Sequence, residues 1–306
     1  MNVTSNGIHL SDSCSLDPTT SVEKAIVSHA HADHGAAQSK EIHCTPSTKK
    51  ILHARFNQEN IISHDFEEPF EIEGYKITFY PAGHVLGSAM IHVDNGGKTW
   101  LYTGDFKVRQ DNTTKQPCPV MCDTLITETT FALPIYTWPG AQSEAKKIVS
   151  WYKRNKQNNV SSVLLCYSLG KAQRVLNLLS SFNIHVHCHR TVRDMNKCYE
   201  DEGVELGTWS YHSLNKPLGT KLFIAPKQVQ RSKRVINSDA RIGFVSGWMH
   251  VRGRKSWGGY DAGFTISDHA DWNELCNFVK ACSPKEVIGV HGYTDIFEKY
   301  CEETLL

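Results

Sequence analysis

Residues 28–34 read SHAHADH and place four side chains able to bind a metal within six positions. The run before them, Ala25 to Val27, is apolar and suits a buried strand. His29 and His31 are two apart, so in an extended chain both imidazoles fall on one side and reach one cation. Asp33 and His34 follow where the chain turns toward a helix expected at Gly35, and can aim at a second cation close by. Neutral imidazole and carboxylate suit Zn, Mn or Fe rather than Ca or a purely thiolate site. Three more candidates stand at the C-terminal ends of strand-like runs and beside glycine, which lets the backbone approach closely: His84 in PAGHVLGSAM, Asp105 in YTGDF and His291 in VIGVHGY. The chemistry such a set offers is metal-assisted hydrolysis.

Short runs bounded by Gly, Pro or Asn/Asp must position these residues, and they read as strands: Ala25 to Val27, Lys76 to Tyr80, Met90 to Val93, Thr99 to Tyr102 and Thr124 to Thr127. Helical spacing runs over Ser143 to Lys156, Lys171 to Ser180 and Asn273 to Lys280. The mixture predicts α/β layers with a substantial sheet. With 306 residues, 40% of them hydrophobic, the chain is long enough to bury a sizeable core. No stretch approaches the roughly 20 uninterrupted apolar residues of a bilayer span, and the first residues lack the blocks of a signal peptide, so a cytoplasmic location is expected. The ten cysteines are scattered without a CxxC pair, which favours reduced, mostly buried thiols over disulfides or a zinc ribbon.

The net charge of +1 hides an asymmetry. Residues 141–264 carry 20 Lys/Arg against 8 Asp/Glu, a net of +12, whereas the remainder is at −11. Turn formers concentrate at Pro134 to Gly140 and at Gly253 to Gly263, near the edges of the basic block. A basic module that holds a polyanion beside an acidic one that holds cations is the physical reading.

SHAHADH, AGHVLGSAM, TGDF, ITETTF around Glu128, SDHAD at 267–271 and VHG at 290–292 together resemble the ordered motifs of metallo-β-lactamase-fold nucleases that carry a β-CASP insert. CDTLITETTFALPIYTW, YSLGKAQRV, VSGWMHVRGR and GFTISDHADW look most like the bacterial DNA-ligase-associated exonuclease subfamily. The resemblance implies an α/β sandwich, the αββα metallo-β-lactamase fold, over residues 1–140 and 265–306. An inserted smaller α/β domain, β-CASP-like, would occupy 141–264 and close over the metal site. It puts His29, His31 and His84 on one of two divalent metal ions, Zn or Mn, and Asp33, His34 and His291 on the other, with Asp105 as the bridge. Asp33, Glu128 and His269 are then the catalytic group, His269 giving a proton to the leaving oxygen and Glu128 orienting it. Asp268 and Asp271 are expected to start and cap the helix from Trp272.

The implied activity is hydrolysis of DNA phosphodiesters, exonucleolytic at single-stranded ends and linked to repair beside a DNA ligase. An RNA-processing nuclease of the same fold is the alternative, and a small ester or thioester hydrolase a more remote one that the basic insert weighs against. In the insert, a strand over Val163 to Tyr167 followed by Gly170 and a helix opening with Lys171 and Arg174 suits a phosphate. Nine basic residues and one acid between Lys221 and Lys255, Arg231, Arg252 and Arg254 among them, suit a nucleic-acid backbone, with Trp248, Trp257 and Tyr260 available for stacking. HVHCHR at 185–190 would put His185, His187 and His189 on one strand face able to bind adventitious metal, but no carboxylate or further histidine stands nearby in sequence to complete a site.

Overall fold

Along Tyr75–Pro81, Ala89–Asp94 and Thr99–Tyr102, successive side chains alternate between two apolar clusters. Ile77, Phe79, Ala89, Ile91, Val93, Trp100 and Tyr102 enter one, while Met90 and Leu101 enter the other with Tyr80 packed against it. A sheet with both faces apolar must be covered twice. The computed structural model, which describes residues 1–4, 6–236, 239–251 and 258–306, shows both covers. Ile8, Leu16 and Ile26 of a second sheet share the first cluster. Leu275, Phe278 and Val279 of the helix Trp272–Cys282 close the other face, together with Phe297 of Thr294–Tyr300. The result is an α/β sandwich.

These elements form one of two units, Met1–Thr137 with His269–Leu306; the other, Trp138–Asp268, interrupts it in sequence. The first unit's two sheets have six strands each. One runs in chain order from Asn2–Thr4 through Gly7–His9, Cys14–Leu16, Lys24–Ile26 and Glu41–Cys44 to Ile61–Ser63, the last four mutually parallel. The other is ordered Glu286–Gly292, Thr124–Thr129, Thr99–Tyr102, Ala89–Asp94, Tyr75–Pro81, Phe70–Ile72. The helix Trp272–Cys282 begins on a reciprocal cap: Asp271 accepts from the Glu274 amide at 3.0 Å while Glu274 accepts from the Asp271 amide at 2.9 Å. Asp271 is thus the cap the sequence suggests.

The second unit holds a six-stranded sheet in which every pair is parallel, ordered Trp209–Tyr211, Val186–Cys188, Leu222–Ala225, Ser162–Leu165, Arg241–Val245, Ala262–Phe264. Helices Lys171–Ser180 and Arg190–Asp201 supply crossovers, the first burying Ala172, Val175, Leu176 and Leu179. All ten cysteines are free thiols, nine of them buried and Cys118 exposed. No helix among the described residues is long and apolar enough to cross a membrane.

Candidate metal centre

Strand direction gathers the site. Thr99–Tyr102, Thr124–Thr129 and Glu286–Gly292 are mutually parallel, so Asp105, Glu128 and His291 emerge near one edge of their sheet. Tyr75–Pro81 is antiparallel to Ala89–Asp94, which is antiparallel to Thr99–Tyr102; it therefore runs the same way and delivers His84 to the same edge. In the facing sheet, Cys14–Leu16 and Lys24–Ile26 are parallel and release Asp17 and His29 together. Gly104, at φ 53°, lets the chain pass so close to Ser28 that a Cβ there would stand 2.7 Å from the Ser28 hydroxyl. The pairing of Thr124–Thr129 with Glu286–Gly292 slips between Glu128 and Thr129, leaving His291 as an extra residue at φ 56°. A bulge of this kind re-aims the side chain it carries.

Four donors converge. His29 Nε2 and His84 Nε2 each lie 3.1 Å from His31 Nδ1. Asp105 Oδ2 lies 3.7 Å from His29 Nε2 and 3.5 Å from His84 Nε2. A cation held at about 2.0–2.1 Å in a tetrahedron has ligand-to-ligand edges of roughly 3.3–3.4 Å, so the donor set and its spacing fit Zn or a similar ion. Asp105 Oδ1 faces the other way, 3.6 Å from His34 Nε2, with the geometry of a shared carboxylate. The His34 and His291 rings are 5.3 Å apart, and Asp33, His34 and His291 all line one cavity of about 310 Å³. Among the described residues, however, the three do not close into a ligand group as the first four do. Asp33 and His34 lie on the four-residue helix Ala32–Gly35, one turn earlier than the helix expected at Gly35.

The residue that sequence reading missed is Asp17. It is buried, and its carboxylate accepts from the Ser28 amide at 2.7 Å, His34 Nδ1 at 2.7 Å and the Tyr102 hydroxyl at 2.9 Å, as well as from the Ser28 hydroxyl. Because a carboxylate only accepts, His34 Nδ1 carries a proton and Nε2 is left for a cation. The Ser28 proton goes to Asp17, so His29 Nδ1, 3.0 Å from that hydroxyl, donates to it and turns its own Nε2 inward. Nothing in the sequence marks Asp17 except its place just after a short strand ending at Leu16.

The electrostatics follow from burial. Burial opposes a charge on His34, but Asp105, Asp17 and Asp33 override it and push its pKa up to about 10. Burial, reinforced by the neighbouring histidines, holds His29 well below the usual imidazole range. Asp105 is raised, first by burial and then by Glu128, against the pull of His34. His34 thus holds a second proton, on Nε2, where His29 resists one, and a cation taking the place of that proton would be held by the same carboxylates.

Beside the four donors lies a dyad. His269 Nδ1 is 2.7 and 3.0 Å from the two oxygens of Glu128, which also accepts from the Phe106 amide at 2.7 Å. Glu128 is 2% exposed, so its orientation is fixed, and it commits the Nδ1 proton of His269 and leaves Nε2 for a reacting group. The His269 and His84 rings are 4.8 Å apart.

In the second unit Lys171 and Arg174 are placed differently from the expected phosphate contact. They are buried, 3% and 2% exposed, with both ends of Asp268 between them: Lys171 Nζ lies 2.8 Å from Oδ2, and Arg174 Nη1 bonds Oδ1. Asp268 is therefore an ion-pair partner rather than a helix cap. Arg231 is exposed at the end of the turn Lys227–Arg231. Arg252, Arg254, Lys255 and Trp257 lie outside the described residues. The histidine trio does not share a face: His189 caps Arg190–Asp201 through Thr191, while His185 and His187 both bond Ser210. A further histidine does stand near, His212, its ring 5.8 Å from that of His187.

No family model matches the chain. Fold, site and relatives together define a class, and the chain belongs to the metallo-β-lactamase/β-CASP nuclease family. It is 30% identical over 293 residues, 94% of its length, to a protein of Opitutus terrae described as a probable DNA ligase, of which it spans 28%. It is 28% identical over 202 residues to an RNase J-like protein of Methanocaldococcus jannaschii, matching 55% of this chain and 48% of that one. To the 5′ exonuclease Apollo of Gallus gallus it is 23% identical over 283 residues, 86% of this chain and 57% of that one.

Proposed function

We propose that the chain is a metal-dependent nuclease that hydrolyses phosphodiester bonds of DNA, exonucleolytically at single-stranded ends, in repair and in functional association with a DNA ligase. The observation that carries the reading is the convergence of His29, His31, His84 and Asp105 beside the Glu128–His269 dyad. The ligase-described and 5′-exonuclease relatives support DNA as substrate. In this reading the first unit is the αββα catalytic domain and the second a β-CASP-like insert that holds the polyanion, with Arg231 among its phosphate contacts.

His29, His31 and His84 would hold one cation, Asp33, His34 and His291 the other, and Asp105 both. When bound, two divalent ions, Zn or Mn, supply Lewis acidity toward the phosphodiester oxygens and lower the pKa of an attacking water. The protein's own part is positional and acid–base. Asp17 sets the tautomer of His34 directly and that of His29 through Ser28. Glu128 fixes His269 so that Nε2 faces the departing sugar oxygen and delivers a proton to it.

The RNase J-like relative favours a second reading, RNA as substrate, since a few contacts to the 2′-hydroxyl decide between the sugars. One assay separates them: cleavage of 5′- and 3′-labelled DNA and RNA, single and double stranded, with Mn, Zn or Mg. Wild type is expected to shorten single-stranded DNA from an end. The His269→Gln variant is expected to keep its metal and lose about 10²–10⁴-fold in rate. Equal rates for the two proteins would overturn the role of His269, and preferred cleavage of RNA would overturn the substrate.

A further inference from the structure

We propose that the second unit contains a pocket for an unpaired nucleobase, at the carboxyl ends of its central strands; the inference rests on the nuclease reading and names how one nucleotide of the strand is held. In an open parallel sheet, loops leaving neighbouring strands in opposite directions open a crevice where ligands bind. Here the chain leaves Ser162–Leu165 to reach Val186–Cys188 on one side, and later leaves Leu222–Ala225 to reach Arg241–Val245 on the other. A cavity of about 620 Å³ lies at that place, lined by residues that follow Ser162–Leu165, Leu222–Ala225 and Arg241–Val245, by Phe244 within the last of these, and by Gly258 and Tyr260 just before Ala262–Phe264. Its volume is in the usual range for small-molecule sites, about 300–1,000 Å³.

Its walls select the ligand. Phe244 and Tyr260 are stacked, with ring centroids 4.7 Å apart and planes inclined by 24°, and Lys227 Nζ is 5.7 Å from the Phe244 centroid. Trp248 forms another wall, and Tyr167, 65% exposed, stands at the lining with its ring toward solvent on part of its surface. Every base has a flat π-face that such rings accept, whatever its identity. The exposed Gln228 adds an amide that donates and accepts, as the polar edge of a base requires. No Asp or Glu lines the cavity among the described residues, and Lys227 is a cation, so the lining tolerates the anionic backbone to which a base is attached. A phosphate alone would make no use of the aromatic walls.

The test is calorimetric titration of the full chain, kept metal-free with a chelator so that nothing is cleaved, with thymidine and deoxyadenosine 5′-monophosphates and with base-less deoxyribose 5-phosphate. Both nucleotides are expected to bind saturably and the sugar phosphate not to compete. Trp248→Leu and Phe244→Leu should each weaken binding on the order of tenfold. Gln228→Ala, an exposed position that leaves the core untouched, should weaken it severalfold and keeps the question open to test if the aromatic variants fail to fold. Equal binding of the sugar phosphate, no saturable binding at millimolar nucleotide, or unchanged affinity in all folded variants would overturn the pocket. Metal-dependent cleavage in a protein that shows any of those outcomes leaves the nuclease reading standing. Nucleotide binding lost on Trp248→Leu in a protein that cleaves neither DNA nor RNA overturns the nuclease and keeps the pocket.

Discussion

The chain contains two H-x-H clusters close to strands, His29 with His31 and His185 with His187, and they come to different ends. In the first, ring nitrogens meet at 3.1 Å and a carboxylate from a distant strand closes the group. In the second, the ring centroids are no farther apart, 4.8 Å against 4.9 Å, but both rings bond Ser210 and no carboxylate joins them in a ligand group among the described residues. Alternation along an extended chain puts two imidazoles on one side in either case. A binding site needs more: donors from other strands ending at the same edge, and acceptors behind the imidazoles that decide which nitrogen is left for the cation.

The largest effect should come from changing Asp105, the donor proposed to serve both cations. Asp105→Asn keeps the shape and loses the charge, and we expect metal content measured by mass spectrometry to fall and cleavage to drop by at least about a thousandfold. Full metal occupancy in that variant would place the first cluster on a level with the second. Asp17→Asn acts one shell further out. Asn keeps one accepting oxygen where Asp17 uses two and loses the charge, so either His34 and the Ser28 hydroxyl or the Ser28 amide lose their acceptor, and chelator competition should show a metal affinity about 10–100-fold weaker with the fold intact.

The second cluster predicts a proton effect instead. Burial, then His185, Lys221 and His212, lower the His187 pKa from 6.5 to about 4. The native state binds this proton less readily than the unfolded chain, so the neutral histidine's contribution to stability is whole above pH 6.5 and is lost progressively as pH falls through the window toward about 4. His187→Gln should therefore flatten the fall of melting temperature between pH 6.5 and 4, and parallel curves for variant and wild type would refute it. Smallest of all, His185→Ala should leave metal stoichiometry unchanged in equilibrium dialysis against Zn; loss of one bound ion per chain would make the second cluster a metal site after all.

Much of the arrangement was readable in advance because its signals are local. The strands Thr99–Tyr102 and Thr124–Thr129 and the helix Lys171–Ser180 stand within two residues of where apolar period and turn formers put them. Asp271 caps its helix because a carboxylate three residues before Glu274 meets the free amides of a first turn wherever it occurs. Lys171 and Arg174 misled for the same reason: a basic helix start looks like a phosphate site until a partner is found, and Asp268 lies 94 residues beyond Arg174. Asp17 was silent because an aspartate after a short strand has no spacing of its own.

Residue type and short-range order alone thus determined which side chains here have metal and proton chemistry and which runs carry them, since coordination preference and backbone period are properties of a few neighbouring residues. Tertiary structure alone decided that Asp105 closes one histidine pair and not the other, that Asp17 stands behind two imidazoles, and that Arg174 turns inward. Those outcomes depend on which strand ends share an edge and which charges are buried together, and both are set by the packing of segments far apart in the chain.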